Sequence, residues 1–91
     1  MKTHVLKTLP QYFEAVADGR KTFEVRLNDR AFQTGDTLKL VKMDETGRFY
    51  DTFGQHLFKR VTFILQGGQF GIEPRYCVLG LGEVLEANHA E

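Results

Sequence analysis

Residues 19–27 read GRKTFEVRL, and this stretch decides the fold because the spacing of apolar residues changes across it. Upstream, the apolar positions of Thr8–Asp18 follow the spacing of an amphipathic helix. They are Leu9, Tyr12, Phe13, Val16 and Ala17. Downstream, from Thr22 to Leu27, apolar and polar residues alternate as in a strand with one buried face. The stretch therefore predicts a helix that ends at Gly19 and a strand that follows at once.

The start of this helix is also marked. Thr8 has a side chain that can cap a helix, and Pro10 suits the first turn, where its missing N–H group is not needed. The main helix is expected at roughly Pro10–Asp18.

Further segments have the short apolar runs and flanking turn signals of strands. They are Thr3–Lys7, Thr37–Met43, Arg48–Phe53, Leu57–Gln66 and Tyr76–Leu81. The sequence Asp44-Glu45-Thr46-Gly47 predicts the hairpin turn before Arg48–Phe53, and Gly67–Pro74 is a glycine-rich loop. One helix and five to six short strands predict an α+β fold, a small closed or nearly closed β-barrel plugged by the helix.

The alternation also predicts which apolar side chains fill this barrel. The expected buried residues are Phe13, Val16, Phe23, Val25, Leu38, Leu40, Val61, Phe63, Val78 and Leu79. The single cysteine, Cys77, lies in an apolar run and is interpreted as one more small core residue.

Length and charge narrow the class of protein. The 91 residues suffice for one domain, expected at residues 1–82, followed by a polar tail at residues 83–91. Lys plus Arg equals Asp plus Glu at 12 each, which excludes a strongly basic protein that coats nucleic acid non-specifically. Without a long apolar run, no membrane partner is expected and the cytoplasm is the expected compartment. The scattered histidines lack metal-ligand spacing, so neither a metal nor a cofactor is expected.

The candidate site is a group of charged residues in the same decisive stretch. Lys21 lies at the turn, and Glu24 and Arg26 lie two apart on one face of the strand. A cation, an anion and a second cation then converge, and Arg26 offers a fork of donors while Glu24 can accept from an amino group. The alternative interpretation is a solvated surface pair without function.

A second candidate is Phe70, which is flanked by glycines in the predicted loop. An exposed aromatic side chain on such a loop can stack on a nucleobase. The alternative is that Phe70 folds back and plugs the core.

The chain resembles the ASCH family of the PUA-like superfamily, in particular a small bacterial and phage branch. The resemblance rests on Gly19-Arg20-Lys21-Thr22 with the alternating acid and arginine that follow, and on Gly35-Asp36-Thr37-Leu38-Lys39-Leu40. It extends over residues 1 to about 82. It implies a PUA-like β-barrel with a cleft beside the helix, lined by Lys21, Thr22, Glu24 and Arg26, and a function in binding RNA or a modified nucleobase.

One branch of that family hydrolyses an acylated cytidine with a lysine, a threonine and a distant glutamate. The lysine matches Lys21, but Glu24 stands where that branch has its catalytic threonine, and Thr22 is not the nucleophile there. Glu73 is the candidate for the distant glutamate. We therefore expect binding of RNA, a nucleotide or a nucleobase without turnover. The alternatives are an amidohydrolase with Lys21 as general base assisted by Glu24 or Glu73, and a protein-interaction module.

Overall fold

The structure, a computed structural model, describes residues 1–44, 46 and 55–85. It contains β1 (Thr3–Thr8), α1 (Pro10–Ala17), β2 (Phe23–Leu27), β3 (Thr37–Lys42), β4 (His56–Gln66) and β5 (Tyr76–Gly82). Parts of three predicted segments lie outside the described residues. They are the whole strand Arg48–Phe53, Glu45 and Gly47 of the turn before it, and residues 86–91 of the tail. Within the described residues, no helix has both the length and the apolar character that spanning a membrane requires.

The strands form one five-stranded sheet in the order β1-β3-β4-β5-β2, in which only the β1–β3 pair is parallel. In a flat sheet the two edge strands would lie about 19 Å apart. Here Arg26 Nη2 on β2 donates to Thr8 Oγ1 on β1 at 3.2 Å. Arg30 Nη1, after β2, donates to the carbonyl of Val5 on β1 at 2.9 Å. The sheet therefore curls into a half-barrel whose open side is bridged by side chains, which confirms a small α+β, barrel-like fold.

The core lies inside this half-barrel, under α1. Six of the predicted core residues are buried: Phe13, Val16, Leu38, Leu40, Val61 and Leu79. Cys77 is buried as predicted. Among the described residues, Leu6, Phe32 and Val41 are also buried.

The face of strand β2 that points toward the core is not the predicted one. Phe23 and Val25 are 43% and 50% exposed, whereas Glu24 is only 3% exposed. The reason is the register, in which Glu24 lies directly opposite the buried Leu79 of β5. Directly opposed residues point to the same face of a sheet, so Glu24 points inward and the apolar residues of β2 point out.

The expectation that Phe63 is buried was also wrong, since its side chain is 67% exposed. A register shift in β4 separates Val61, which is buried, from Phe63. An extra residue in a strand reverses the alternation beyond it, so Phe63 turns outward. Val78, which lies opposite Val25 on the outer face, is only half-buried.

Helix α1 begins at Pro10, one residue later than it would if Thr8 were its N-cap residue as predicted. The N-cap residue is Leu9, which makes no side-chain capping bond, and Pro10 occupies the first turn as predicted. Thr8 belongs to β1 instead, where its hydroxyl donates to the carbonyl of Leu6 at 3.2 Å. Gly19 has φ +87°, as a residue that terminates a helix in the left-handed region does.

A buried polar group anchors the end of the half-barrel at the start of β1. Asp36 is 1% exposed and accepts hydrogen bonds from His4 Nε2 at 2.9 Å and from the backbone N–H groups of Lys2 and Gln33 at 3.1 and 3.0 Å. Burial raises the pKa of Asp36, but these hydrogen bonds outweigh burial and hold the pKa below its ordinary value of 3.8. The His4 ring also packs edge-on against Phe32, with ring centroids 4.8 Å apart.

Candidate ligand-binding cleft

A cleft of about 820 Å³ opens where β1 ends, between α1 and β2. Three elements supply its walls because the half-barrel is open between its two edge strands. The residues that the argument below uses are Thr8, Tyr12, Lys21, Phe23, Glu24 and Arg26.

The structure brings Lys21, Glu24 and Arg26 together in this cleft. Lys21 Nζ lies 2.6 Å from Glu24 Oε1. Arg26 contacts Glu24 Oε2 through Nε at 3.0 Å and Nη2 at 2.9 Å. The turn after Gly19 sets this arrangement, since the backbone N–H of Lys21 donates to the carbonyl of Ala15 at 2.9 Å and fixes the entry into β2.

Glu24 pairs with both cations and is itself nearly buried at the base of the cleft. Both of its oxygens accept hydrogen bonds, and the residue is 3% exposed. The side chains of Lys21 and Arg26 are 15% and 22% exposed. The direct contact with a ligand expected for the Glu24 carboxylate stays a prediction, and the three-residue cluster has a formal charge of one positive unit.

Arg26 and Lys21 keep donors for a ligand. Within the described residues, the hydrogen bonds of Arg26 use Nε and Nη2 and leave Nη1 to the cleft. Lys21 Nζ donates to Glu24 and to the carbonyl of Phe23 at 2.7 Å, so one of its three N–H groups remains. The buried Thr8 hydroxyl fixes the arginine by accepting from Nη2.

Two aromatic rings flank the lysine. Lys21 Nζ lies 5.5 Å from the ring centroid of Tyr12 on α1 and 5.0 Å from that of Phe23 on β2. Both side chains are nearly half exposed, at 47% and 43%. Neither was predicted as a site residue, because periodicity assigned both to the core. The hydroxyl of Tyr12 on an otherwise apolar stripe was the available signal, since such a group seeks water or a polar partner.

The backbone of β2 adds a donor and an acceptor. The carbonyl of Thr22 accepts from the N–H of Leu81 on β5, and the N–H of Asn28 donates to the carbonyl of Arg75, the residue before β5. Even-numbered residues of β2 therefore direct their backbone groups toward that strand. By the same alternation, the N–H and C=O groups of Val25 point away from β5 and toward the cleft that Val25 lines.

The cleft rim carries further positive charge in a chain whose formal net charge is zero. Lys7 and Arg20 lie at this rim. Arg20 pairs with Asp18 at 2.8 Å, and both side chains are at least half exposed. Hydrogen bonds from the backbone and side chain of Arg20 lower the pKa of Asp18.

The other predicted site residues lie outside the cleft. Thr22 is exposed at its edge. Phe70 and Glu73 lie on the β4–β5 loop, beside the end of β2 that is remote from Lys21. Phe70 is 83% exposed with φ +53°, which excludes its interpretation as a core plug. Glu73 pairs with Arg75 at 3.0 Å.

A comparison with known protein families finds a match for this chain. No curated protein matches it. A family model described as a domain of unknown function, DUF3850, matches residues 3–81, which include all six cleft residues named above. Since the match takes in most of the 91 residues, the chain belongs to the family described as domain of unknown function DUF3850.

Proposed function

We propose that the cleft binds a nucleobase, either in a free or modified nucleoside or within single-stranded RNA, and that it does so without turnover. The observation that carries this proposal is the cluster of Lys21 and Arg26 around the buried Glu24. Placing a carboxylate in a nearly dry position is costly unless it is paired. Here the pairing holds two cations at the base of a cleft that opens to solvent.

The dimensions and the walls of the cleft suit a planar ligand. Its volume of about 820 Å³ lies within the usual range for small-molecule sites. The half-exposed rings of Tyr12 and Phe23 offer faces on which a base can stack. Each such stacking contact contributes about 1–3 kcal/mol in proteins that bind single strands.

The polar groups suit the edge of a base. Arg26 Nη1 and the third N–H of Lys21 are donors, so they match the carbonyl oxygens and ring nitrogens that bases present. The N–H and C=O of Val25 supply one donor and one acceptor side by side. We therefore infer that a base with exposed carbonyl acceptors is preferred.

The resemblance to the ASCH family and its PUA-like barrel is part of this proposal. It adds RNA to the candidate ligands, and the local excess of Lys and Arg at the cleft suits a neighbouring phosphate despite the neutral chain. The cytoplasm stays the expected compartment.

Two features favour binding over hydrolysis. Lys21 Nζ is already paired with the buried Glu24 carboxylate at 2.6 Å and with the carbonyl of Phe23 at 2.7 Å, which places it as a hydrogen-bond donor. Glu73, the candidate second carboxylate, lies on the remote loop and pairs with Arg75. A hydrolytic mechanism would therefore have to draw on Glu24, whose oxygens are already bonded.

The proposal is tested by measuring nucleoside and short single-stranded RNA affinity for native protein, Lys21→Ala and Arg26→Ala. We expect each variant to bind at least about tenfold more weakly, because each removes a charged donor. Lys42→Ala is the matched control. Lys42 also lies 2.6 Å from a carboxylate, that of Glu14, and 5.7 Å from an aromatic centroid, but outside the cleft.

The result that contradicts the proposal is equal binding by native protein, Lys21→Ala and Lys42→Ala, or no binding across a panel of bases. Circular dichroism of each variant establishes that a lost affinity is not lost folding. Release of free acid from an acylated cytidine by native protein, abolished in Lys21→Ala, would replace the binding proposal with the hydrolase.

A further inference from the structure

The outward inversion of β2 leaves an apolar surface on the sheet. Its members lie on the outer face of β2, β5 and β4, and we call them the outer patch. They are Phe23, Val25, Leu27, Val78, Phe63 and Leu65.

The strand register makes these side chains contiguous. Val78 lies directly opposite Val25 on one side and Leu65 on the other. Phe23 and Phe63 both lie opposite Gly80, and the side chain of Thr62 lies over that glycine. The patch thus spans three adjacent strands, about 10 Å across the sheet.

Four side chains of this surface are largely open to solvent. Phe63 is 67% exposed, and Phe23, Val25 and Leu27 are 42–50% exposed. These four side chains correspond to roughly 400 Å² of apolar area, and contiguous patches of that size commonly mark interaction sites. A strand that buries Glu24 and exposes its apolar residues loses hydrophobic stabilisation unless something covers it.

We propose that a second copy of this chain covers the outer patch, giving a two-fold symmetric dimer. A standard interface buries about 800 Å² on each partner, and in homodimers about 65% of it is apolar. The four exposed side chains together with the half-buried Leu65 and Val78 supply about that apolar share.

Charge favours a copy of the chain over a different partner. No member of the outer patch is ionisable, so the patch offers no charge pattern to select an oppositely charged protein. An apolar surface is complementary to itself, and two chains of zero formal net charge do not repel each other at long range. Val78, central in the patch, would lie near the two-fold axis.

The proposal does not depend on which ligand the cleft binds, but the two surfaces share residues, so the area of Phe23 that a partner chain covers is not available to a base in the cleft. Phe23 and Val25 belong both to the outer patch and to the cleft wall. In the dimer the partner chain would therefore lie beside the mouth of each cleft.

The test is sedimentation equilibrium of the full chain over a concentration series, for native protein and Phe63→Asp. We expect native protein to reach twice the 10.4 kDa mass of one chain. A charge in the patch should weaken dimerisation at least about tenfold. Phe70→Asp is the control, since Phe70 is 83% exposed on the β4–β5 loop but outside the patch. Because Phe63 is itself mostly exposed, its replacement should leave circular dichroism unchanged.

Three results would overturn the proposal. Native protein that stays monomeric up to about 100 μM would lack the self-association that the proposal requires. Dimerisation that survives Phe63→Asp would place the interface elsewhere. Equal weakening by Phe70→Asp would show a general effect of charge and not one of this patch.

Discussion

Glu24 is the residue on which the cleft depends most, because a carboxylate with 3% exposure is held between two cations. Glu24→Gln leaves Lys21 and Arg26 without their counter-charge. Breaking a fully buried pair costs about 3–5 kcal/mol, and the partial exposure of both cations reduces this to about 2 kcal/mol. Urea unfolding of native protein and Glu24→Gln measures the difference.

The matched control for this prediction is Glu14→Gln. Glu14 also pairs with a lysine at 2.6 Å, but its side chain is 56% exposed. An exposed pair contributes less than about 1 kcal/mol, so the control should stay close to native stability. Equal losses in the two variants would contradict the structural role assigned to Glu24.

Asp36 makes the stability of the protein depend on pH. Its pKa in the folded state lies below the ordinary 3.8, so its carboxylate stabilises the fold above that pH. The stabilisation is lost as pH falls through the folded-state pKa, because the proton then binds both states. We expect the free energy of unfolding of native protein to fall more steeply below about pH 4 than that of Asp36→Asn.

Denaturant unfolding at a series of acidic pH values measures that slope. Asp29→Asn is the comparison, since Asp29 is 57% exposed at the surface, and it should keep the native slope. Parallel curves for native protein and Asp36→Asn would show that the hydrogen bonds from His4, Lys2 and Gln33 do not favour the charged form.

At the scale of elements, the junction between α1 and β2 rests on one backbone conformation. Gly19 has φ +87°, and a Cβ built there meets nothing within 4 Å. Gly19→Ala therefore carries a conformational cost alone, about 1 kcal/mol in free energy of unfolding. Gly19→Asn should cost less, because asparagine tolerates the left-handed region. Thermal or urea unfolding measures both variants, and a stability loss in neither would contradict this account of the junction.

Sequence periodicity predicted where the helix and the strands begin and end better than it predicted which face of each strand is buried. Helix α1 and the described strands lie within one or two residues of their predicted bounds. The face of β2 could not be predicted, because alternation states that two faces differ but not which one faces the core. The pairing of Glu24 with Leu79 decides it, and that register is set by the tertiary structure.

The same limit applies to β4. The bulge between Val61 and Phe63 reverses the alternation within one continuous strand, and no glycine or proline marks it. Tyr12 was not predicted as a cleft residue for a related reason. The apolar stripe of a helix that is wide enough to cover a core also extends to the rim of a cleft.

At the scale of the whole molecule, the cleft exists because the half-barrel does not close by backbone pairing. Arg26 and Thr8, which bridge its open side, are 18 residues apart, and Arg30 and Val5 are 25 apart. Such long-range contacts leave no periodic signal in a single sequence. The sequence therefore indicated that Lys21, Glu24 and Arg26 converge, but it did not predict the aromatic walls or the burial of Glu24 between its two cations.

The most direct test of the central claim, that this cleft is the ligand-binding site, is an NMR titration of ¹⁵N-labelled protein with a short single-stranded RNA and with nucleosides. We predict that the perturbed signals cluster on β1, α1, β2 and the turn between α1 and β2. They are the amides of Thr8, Tyr12, Lys21 and Val25 and the side-chain Nε–H of Arg26. Perturbations confined to the β4–β5 loop around Phe70, or the absence of any at saturating ligand, would contradict the claim.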